Sequence, residues 1–131
     1  MTTIAYLTIE ELVLIGEYAI GHEPKIRDWG LLESALGRPQ ATVYGQDAYP
    51  TIHEKAAALL HSVASNHALV DGNKRLGWVA TRTFYRLNGY DVRASEDEAF
   101  DLVVSIADGT VSDVEEIAKA IRVWVVSRPV Q

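Results

Sequence analysis

The sequence predicts an all-α domain, a compact bundle of about six helices with room for one short β-hairpin flap. Three observations lead there. Ser or Thr followed three residues later by Glu, a pairing that satisfies two orphaned backbone donors at a helix start, recurs at Thr8/Glu11, Thr51/Glu54, Ser95/Glu98 and Ser112/Glu115. Each pair opens a stretch with apolar residues at helical spacing. Strand-like alternation is nearly absent.

Taken in order, the helix opening at Thr8 gathers Ile9, Leu12, Val13, Ile15 and Gly16 on one face and stops at Gly21, where a left-handed residue closes a helix. A shorter helix runs from about Asp28 to Arg38-Pro39, because proline restricts its predecessor and cannot donate. Between Gln40 and Pro50, Thr42, Val43 and Tyr44 precede a turn at Gly45 and form the candidate flap. Thr51 then starts a helix that aligns Ile52, Ala56, Leu59, Leu60 and Val63. A further helix, from about Asn73 to Asn88 with Gly89 as its stop, is expected to bury Leu76, Val79, Ala80, Phe84 and Leu87. Tyr90 to Arg93 reads as a strand. Ser95 opens a helix carrying Phe100, Val103 and Ile106 and ending at Gly109, and Ser112 opens the last, with Val114, Ile117, Ile121 and Val125 on its apolar face. No repeat, low-complexity run or linker divides the chain, so residues 1–131 are expected to form a single domain.

The 131 residues, 48% hydrophobic and 23% charged, suffice for one core without staples. With no cysteine, zinc ribbons, thiolate clusters, cysteine nucleophiles and disulfide scaffolds are ruled out, and a reducing compartment fits. The apolar runs are far shorter than the roughly 20 residues of a membrane span. Met1-Thr2-Thr3-Ile4 lacks the order of a signal peptide, so the expected location is the cytoplasm, with no membrane partner. Twelve basic against eighteen acidic residues give a net charge of −6, which disfavours direct binding to nucleic acid. From Asp91 to Glu116 nine acidic residues face a single cation, Arg93, a pattern expected of a solvated acidic face. Lys74, Arg75, Arg82 and Arg86 lie on one helix, the three arginines on a shared side.

Chemistry concentrates in His67-Ala68-Leu69-Val70-Asp71-Gly72-Asn73-Lys74-Arg75, a loop feeding a helix start. Unpaired N–H groups at such a start hold phosphate oxygens, and Gly72 lets the backbone curl closely around them. Asn73, Lys74 and Arg75 offer further donors to the same anion. Asp71 is a hard carboxylate suited to a Mg²⁺ ion shared with phosphate oxygens and water. His67, four residues earlier, is placed to take a proton from an incoming hydroxyl. Together these parts describe transfer of a phosphate-containing group from a nucleotide to an alcohol. Each part alone is commonplace, since Asp-Gly-Asn is a frequent turn and first-turn Lys-Arg is usually solvated; the combined spacing carries the inference.

Other motifs fail by letter. Gly72 and Gly77 have the glycine spacing of a Walker A loop, but Trp78-Val79 replaces its Lys and Ser/Thr, and no G-x-G-x-x-G occurs. His53-Glu54 opens like a zinc protease helix, yet residue 57 is Ala. His53 and His61 diverge by about 80° around one helix, a poor metal pair.

His67 to Arg75 resembles the Fic/Doc family signature H-x-F-x-D/E-G/A-N-G/K-R, and is most similar to the death-on-curing (Doc) toxin branch. Ile26 to Pro39, with its Arg27-Asp28-Trp29-Gly30 start, resembles an upstream stretch of that branch. The resemblance implies a Fic/Doc-like fold in which His67 is the base, Asp71 binds Mg²⁺, Gly72 and Asn73 form the anion nest, and Lys74 and Arg75 engage phosphates. Leu69 stands where the motif usually has Phe, an apolar replacement tolerated with repacking. Lys74 replaces the Gly of AMP-transferring members and Trp78 their second Arg; both departures are similar to Doc.

The resemblance therefore implies a toxin of a toxin–antitoxin system that acts as a protein kinase, moving the γ-phosphoryl group of ATP to a threonine of elongation factor Tu and arresting translation and growth. Adenylyl transfer, or a non-catalytic binding module of the same fold, are the alternatives. ATP and Mg²⁺ are the implied cofactors. Gln40 to Tyr49 would match the flap that aligns substrate backbone, with Tyr44 and Gln46 as contacts. Ser112 to Ile117 lacks the ending of a self-inhibitory helix, so the implied regulator is a cognate antitoxin acting in trans, whose disordered C-terminal segment folds into a groove.

Overall fold

The structure is a computed structural model that describes residues 3–128; Met1, Thr2 and the last three residues of the expected domain lie outside it. Among the described residues six helices follow in order: α1 (Ile9–Ile20), α2 (Trp29–Gly37), α3 (Ile52–Ser65), α4 (Asn73–Leu87), α5 (Glu96–Ala107) and α6 (Val114–Arg122). A 3-10 turn at Arg38–Gln40 prolongs α2. Two small antiparallel pairs complete the fold, β1 (Thr42–Val43) with β2 (Gln46–Asp47), and β3 (Tyr90–Val92) with β4 (Val125–Ser127). The fold is mainly helical, as expected, and the flap is a hairpin whose turn residues Tyr44 and Gly45 both have positive φ.

Capping explains most of the helix starts. Thr8 and Ser95 form complete boxes with Glu11 and Glu98. Thr51 accepts from the Glu54 N–H, while the Glu54 carboxylate takes the Thr51 hydroxyl proton instead of the backbone donor. The last helix departs from expectation: its cap is Asp113, not Ser112, because the Asp113 carboxylate reaches the Glu115 N–H at 3.1 Å. That helix ends at Arg122, and Val125 belongs to β4, where it pairs with Val92.

Helix α3 is the axis of the bundle, packed against α2, α4, α5 and α6. It is buried almost all round, from Lys55 to Leu60 and from Ser62 to Ala64, since Ala56, Ala57, Ala58 and Ala64 let neighbouring helices approach. Leu12, Leu32, Leu69, Phe84, Ile106, Ile117 and Ile121 close on it in one continuous core. Two expected core faces are corrected. On α4 the buried residues are Leu76, Gly77, Ala80, Thr81, Phe84 and Tyr85, with Val79 half-buried and Leu87 exposed. On α5, Ala99, Val103 and Ile106 face inward and Phe100 is 66% exposed. Among the described residues, no helix is long and apolar enough to cross a membrane.

Candidate active site

The loop between α3 and α4 is built by backbone before side chains enter. His67 follows the end of α3 with φ 54°, a left-handed turn that redirects the chain. The Ala68 carbonyl accepts from the N–H groups of Arg27 (2.8 Å) and Asp28 (3.0 Å), and the Val70 N–H donates to the Lys25 carbonyl at 2.9 Å. Ile26 and Leu69 thus face each other as an isolated antiparallel pair. Asp28 also caps α2 through the Leu31 N–H at 3.1 Å. The stretch from Ile26, singled out by its sequence, is therefore the brace of the His67 loop.

At the far end of the loop Gly72 has φ 90° and precedes α4. A Cβ there would lie 2.6 Å from Cδ1 of Ile20, the last residue of α1, so the turn is both left-handed and tightly packed. Gly72 offers no side-chain cap, whereas the other five helices each receive one, from Thr8, Asp28, Thr51, Ser95 and Asp113. The first N–H groups of α4 are thereby left for an external acceptor.

Asp71 precedes that start, Lys74 and Arg75 lie in its first turn, and His67 opens the loop that leads to it; all four are exposed. Among the described residues, neither Asp71, Lys74 nor Arg75 enters an ion pair, so their charges are unspent. An exposed carboxylate two residues before an uncapped start fits a Mg²⁺ ion completed by phosphate and water. Among the described residues there is no group of three or more His, Cys, Asp or Glu arranged for a metal. The carboxamide of Asn73 points back into the loop and bonds Leu69.

Tyr44 and Gln46 stand on the hairpin, both exposed. The hairpin is tied to the first half of α3, where the buried Lys55 reaches Asp47 Oδ2 at 3.1 Å; the His67 loop leaves the other end of that helix. Tyr49, behind the hairpin, accepts a 3.0 Å bond from Arg38.

One feature escaped the sequence. Beside Lys74 and Arg75 a groove of about 520 Å³ runs between α4 and α5. Trp78, Val79, Phe100, Val103 and Val104 form its apolar walls, Arg82 extends the cationic rim, and Glu96 lies opposite. Arg86 leaves the shared arginine face by pairing with Asp91 at 3.7 Å. The available signal was Phe100 at the acidic start of its helix, next to residues that cannot bury it.

His53 and His61 are structural. Nδ1 of His53 lies 2.9 Å from the Tyr85 hydroxyl, and Nδ1 of His61 lies 2.8 Å from Arg38. Burial, reinforced by Arg122 and Arg38 respectively, lowers both imidazoles below the ordinary histidine value.

A family model described as Fic/DOC family matches residues 6–85, from α1 through most of α4. The toxin Doc of Mycolicibacterium smegmatis is 54% identical over 104 residues, covering 78% of this chain and 80% of its own. The protein kinase doc of Escherichia phage P1 is 32% identical over 120 residues, covering 89% and 93%.

Proposed function

The chain belongs to the Fic/DOC family, and from that premise we propose that it is the toxin of a toxin–antitoxin pair and a protein kinase acting with ATP and Mg²⁺. The observation that carries the reading is the start of α4, the one α-helix start among the described residues without a side-chain cap, with Asp71 before it and the exposed Lys74 and Arg75 in its first turn. The name protein kinase doc, borne by the phage relative, favours phosphoryl over adenylyl transfer, as does Lys74 where AMP-transferring members have Gly.

The nest formed by the N–H groups after Gly72 holds phosphate oxygens, and Arg75 adds a forked donor and Lys74 a point charge. Asp71 would hold a Mg²⁺ ion, which would supply charge neutralisation to the triphosphate. His67 accepts the proton of the acceptor hydroxyl while its oxygen bonds to the γ-phosphorus. The bond from that phosphorus to the bridging oxygen breaks, and ADP leaves with the electron pair. The proposed acceptor is a threonine of elongation factor Tu, aligned by the β1–β2 hairpin through Tyr44 and Gln46, and its modification arrests translation in the cytoplasm.

An antitoxin segment is proposed to fold into the α4–α5 groove. Its apolar side would meet Trp78, Phe100 and Val104, and its acidic residues Lys74, Arg75 and Arg82. Bound there it would cover two of the phosphate-binding cations.

Intact-protein mass spectrometry of elongation factor Tu after incubation with the chain, ATP and Mg²⁺ tests the kinase reading. A phosphoryl increment that vanishes with His67→Ala is the expected result. An adenylyl increment would keep the site and overturn the group transferred, and an increment undiminished in His67→Ala would remove the proposed base.

A further inference from the structure

We propose that Asn73 is a positioning residue, clipping the His67 loop through the backbone of Leu69 and leaving anion binding to its own N–H. The inference rests on the transfer site proposed above, and concerns how that site is held.

Leu69 faces Ile26 in the isolated antiparallel pair, and the bonds of that ladder run through the flanking residues, Ala68 to Arg27 and Val70 to Lys25. In an antiparallel pair of this kind the facing residues exchange no bonds themselves, so the N–H and C=O of Leu69 point away from Ile26. Both are met by one side chain. Asn73 Oδ1 accepts from the Leu69 N–H at 2.9 Å and Nδ2 donates to the Leu69 carbonyl at 3.0 Å. The Leu69 side chain is itself 1% exposed, which makes this residue the fixed point of the loop. His67 lies two residues before it and Asp71 two after.

A carboxamide suits this place because it carries a donor and an acceptor in one plane, as the peptide residue does. The other end of α4 uses the same device: Asn88 Oδ1 accepts from the Ala5 N–H at 2.8 Å and Nδ2 donates to the Ala5 carbonyl at 2.9 Å. With Oδ1 and one Nδ2 hydrogen given to Leu69, the Asn73 carboxamide is turned into the loop, and its part in the reaction is the placing of His67 and Asp71.

Two readouts on the full chain test this. One is amide hydrogen exchange at Leu69, and the other steady-state transfer to elongation factor Tu with Mg-ATP. Asn73→Ala is expected to speed Leu69 exchange at least tenfold and to lower kcat at least tenfold, with KM for ATP within threefold of the parent. Asn73→Asp keeps the acceptor for the Leu69 N–H and loses the donor to its carbonyl, so its Leu69 exchange should fall between the two; this variant serves if Asn73→Ala does not fold. A tenfold rise in KM for ATP with kcat unchanged would overturn the inference in favour of a phosphate donor, as would unaltered Leu69 exchange. A parent chain that transfers nothing while Leu69 exchange still responds would overturn the transfer reading and leave the clip standing.

Discussion

Arg38 donates a 2.8 Å hydrogen bond to Nδ1 of His61, and since a guanidinium can only donate, that nitrogen is an acceptor and the imidazole is neutral with its proton on Nε2. The same guanidinium group binds Tyr49 and Ser62, so it joins the end of α2 and the base of the hairpin to α3. Burial first, and Arg38 second, lower His61 below its ordinary value of 6.5, and burial with Arg122 does the same to His53. A histidine lowered in the folded state binds fewer protons folded than unfolded. Its contribution is therefore intact above about 6.5 and is lost as pH falls through that value toward the folded one. Tm should drop between pH 7 and pH 5, and less so in His61→Gln, whose amide oxygen accepts from Arg38 without titrating. An equal drop in that variant would remove His61 from the account.

Lys55 and Asp47 form an unequal pair, with side chains 2% and 54% exposed. Removing the two partners should therefore have unequal effects. Asp47→Ala leaves a buried ammonium with the Pro39 carbonyl at 3.4 Å and the Tyr6 ring at 5.9 Å, and should cost about 1–3 kcal/mol, less than the loss for a fully buried pair because Asp47 is already half solvated. Lys55→Met keeps the packing and removes the charge, at under about 1 kcal/mol. Urea denaturation measures both; equal losses would mean that Lys55 is not held by Asp47. Asp47→Ala should also loosen the hairpin, raising KM for elongation factor Tu more than for ATP.

Asp71→Asn exchanges an exposed loop carboxylate for a near-isostere with half its oxygen ligands and none of its charge. The Mg²⁺ concentration for half-maximal transfer should rise at least tenfold, while Tm without metal or nucleotide stays unchanged, since Asp71 enters no ion pair among the described residues. An unshifted Mg²⁺ dependence would move the metal elsewhere.

Lys74→Gly tests whether the group transferred is set at this position. Gly removes a point charge suited to a terminal phosphate and opens the nest to a diphosphate. Phosphoryl transfer should fall at least tenfold, with an adenylyl increment appearing on the acceptor. An unaltered product would place the choice outside Lys74.

The loop and helix start that carry His67 to Arg75 were legible because they are contiguous: the segment spans one loop and one turn of helix, and its shape needs no long-range pattern to be read. Helix starts at Thr8, Thr51 and Ser95 were legible for the same reason, as caps act across three residues. Ser112 misled because Asp113 offers a competing carboxylate one residue nearer the helix. Val125 stands four residues after Ile121, a helical spacing, and only pairing with Val92 reveals the strand. The stretch from Ile26 was marked by resemblance, but its role as a brace rests on backbone bonds to Ala68 and Val70 that side-chain pattern does not reveal. The α4–α5 groove was hidden because it joins residues of two helices, and Phe100, counted toward a core face, lies on its wall.

That groove supplies the last test. Phe100 is 66% exposed, so Phe100→Asp should leave Tm nearly unchanged, while a charge set into an apolar wall should weaken antitoxin binding at least tenfold, or about 1.4 kcal/mol. Arg82→Glu, on the rim, should weaken it further at low ionic strength than at high, because a rim charge acts through a screened field. Leu14, 63% exposed on α1 beside Trp29, is the control: it lies in a different apolar hollow, and Leu14→Asp should leave antitoxin affinity as it is. Calorimetric titration of the chain with its antitoxin separates the two surfaces. Loss of binding in Leu14→Asp with full binding in Phe100→Asp would transfer the antitoxin site from the α4–α5 groove to the face of α1.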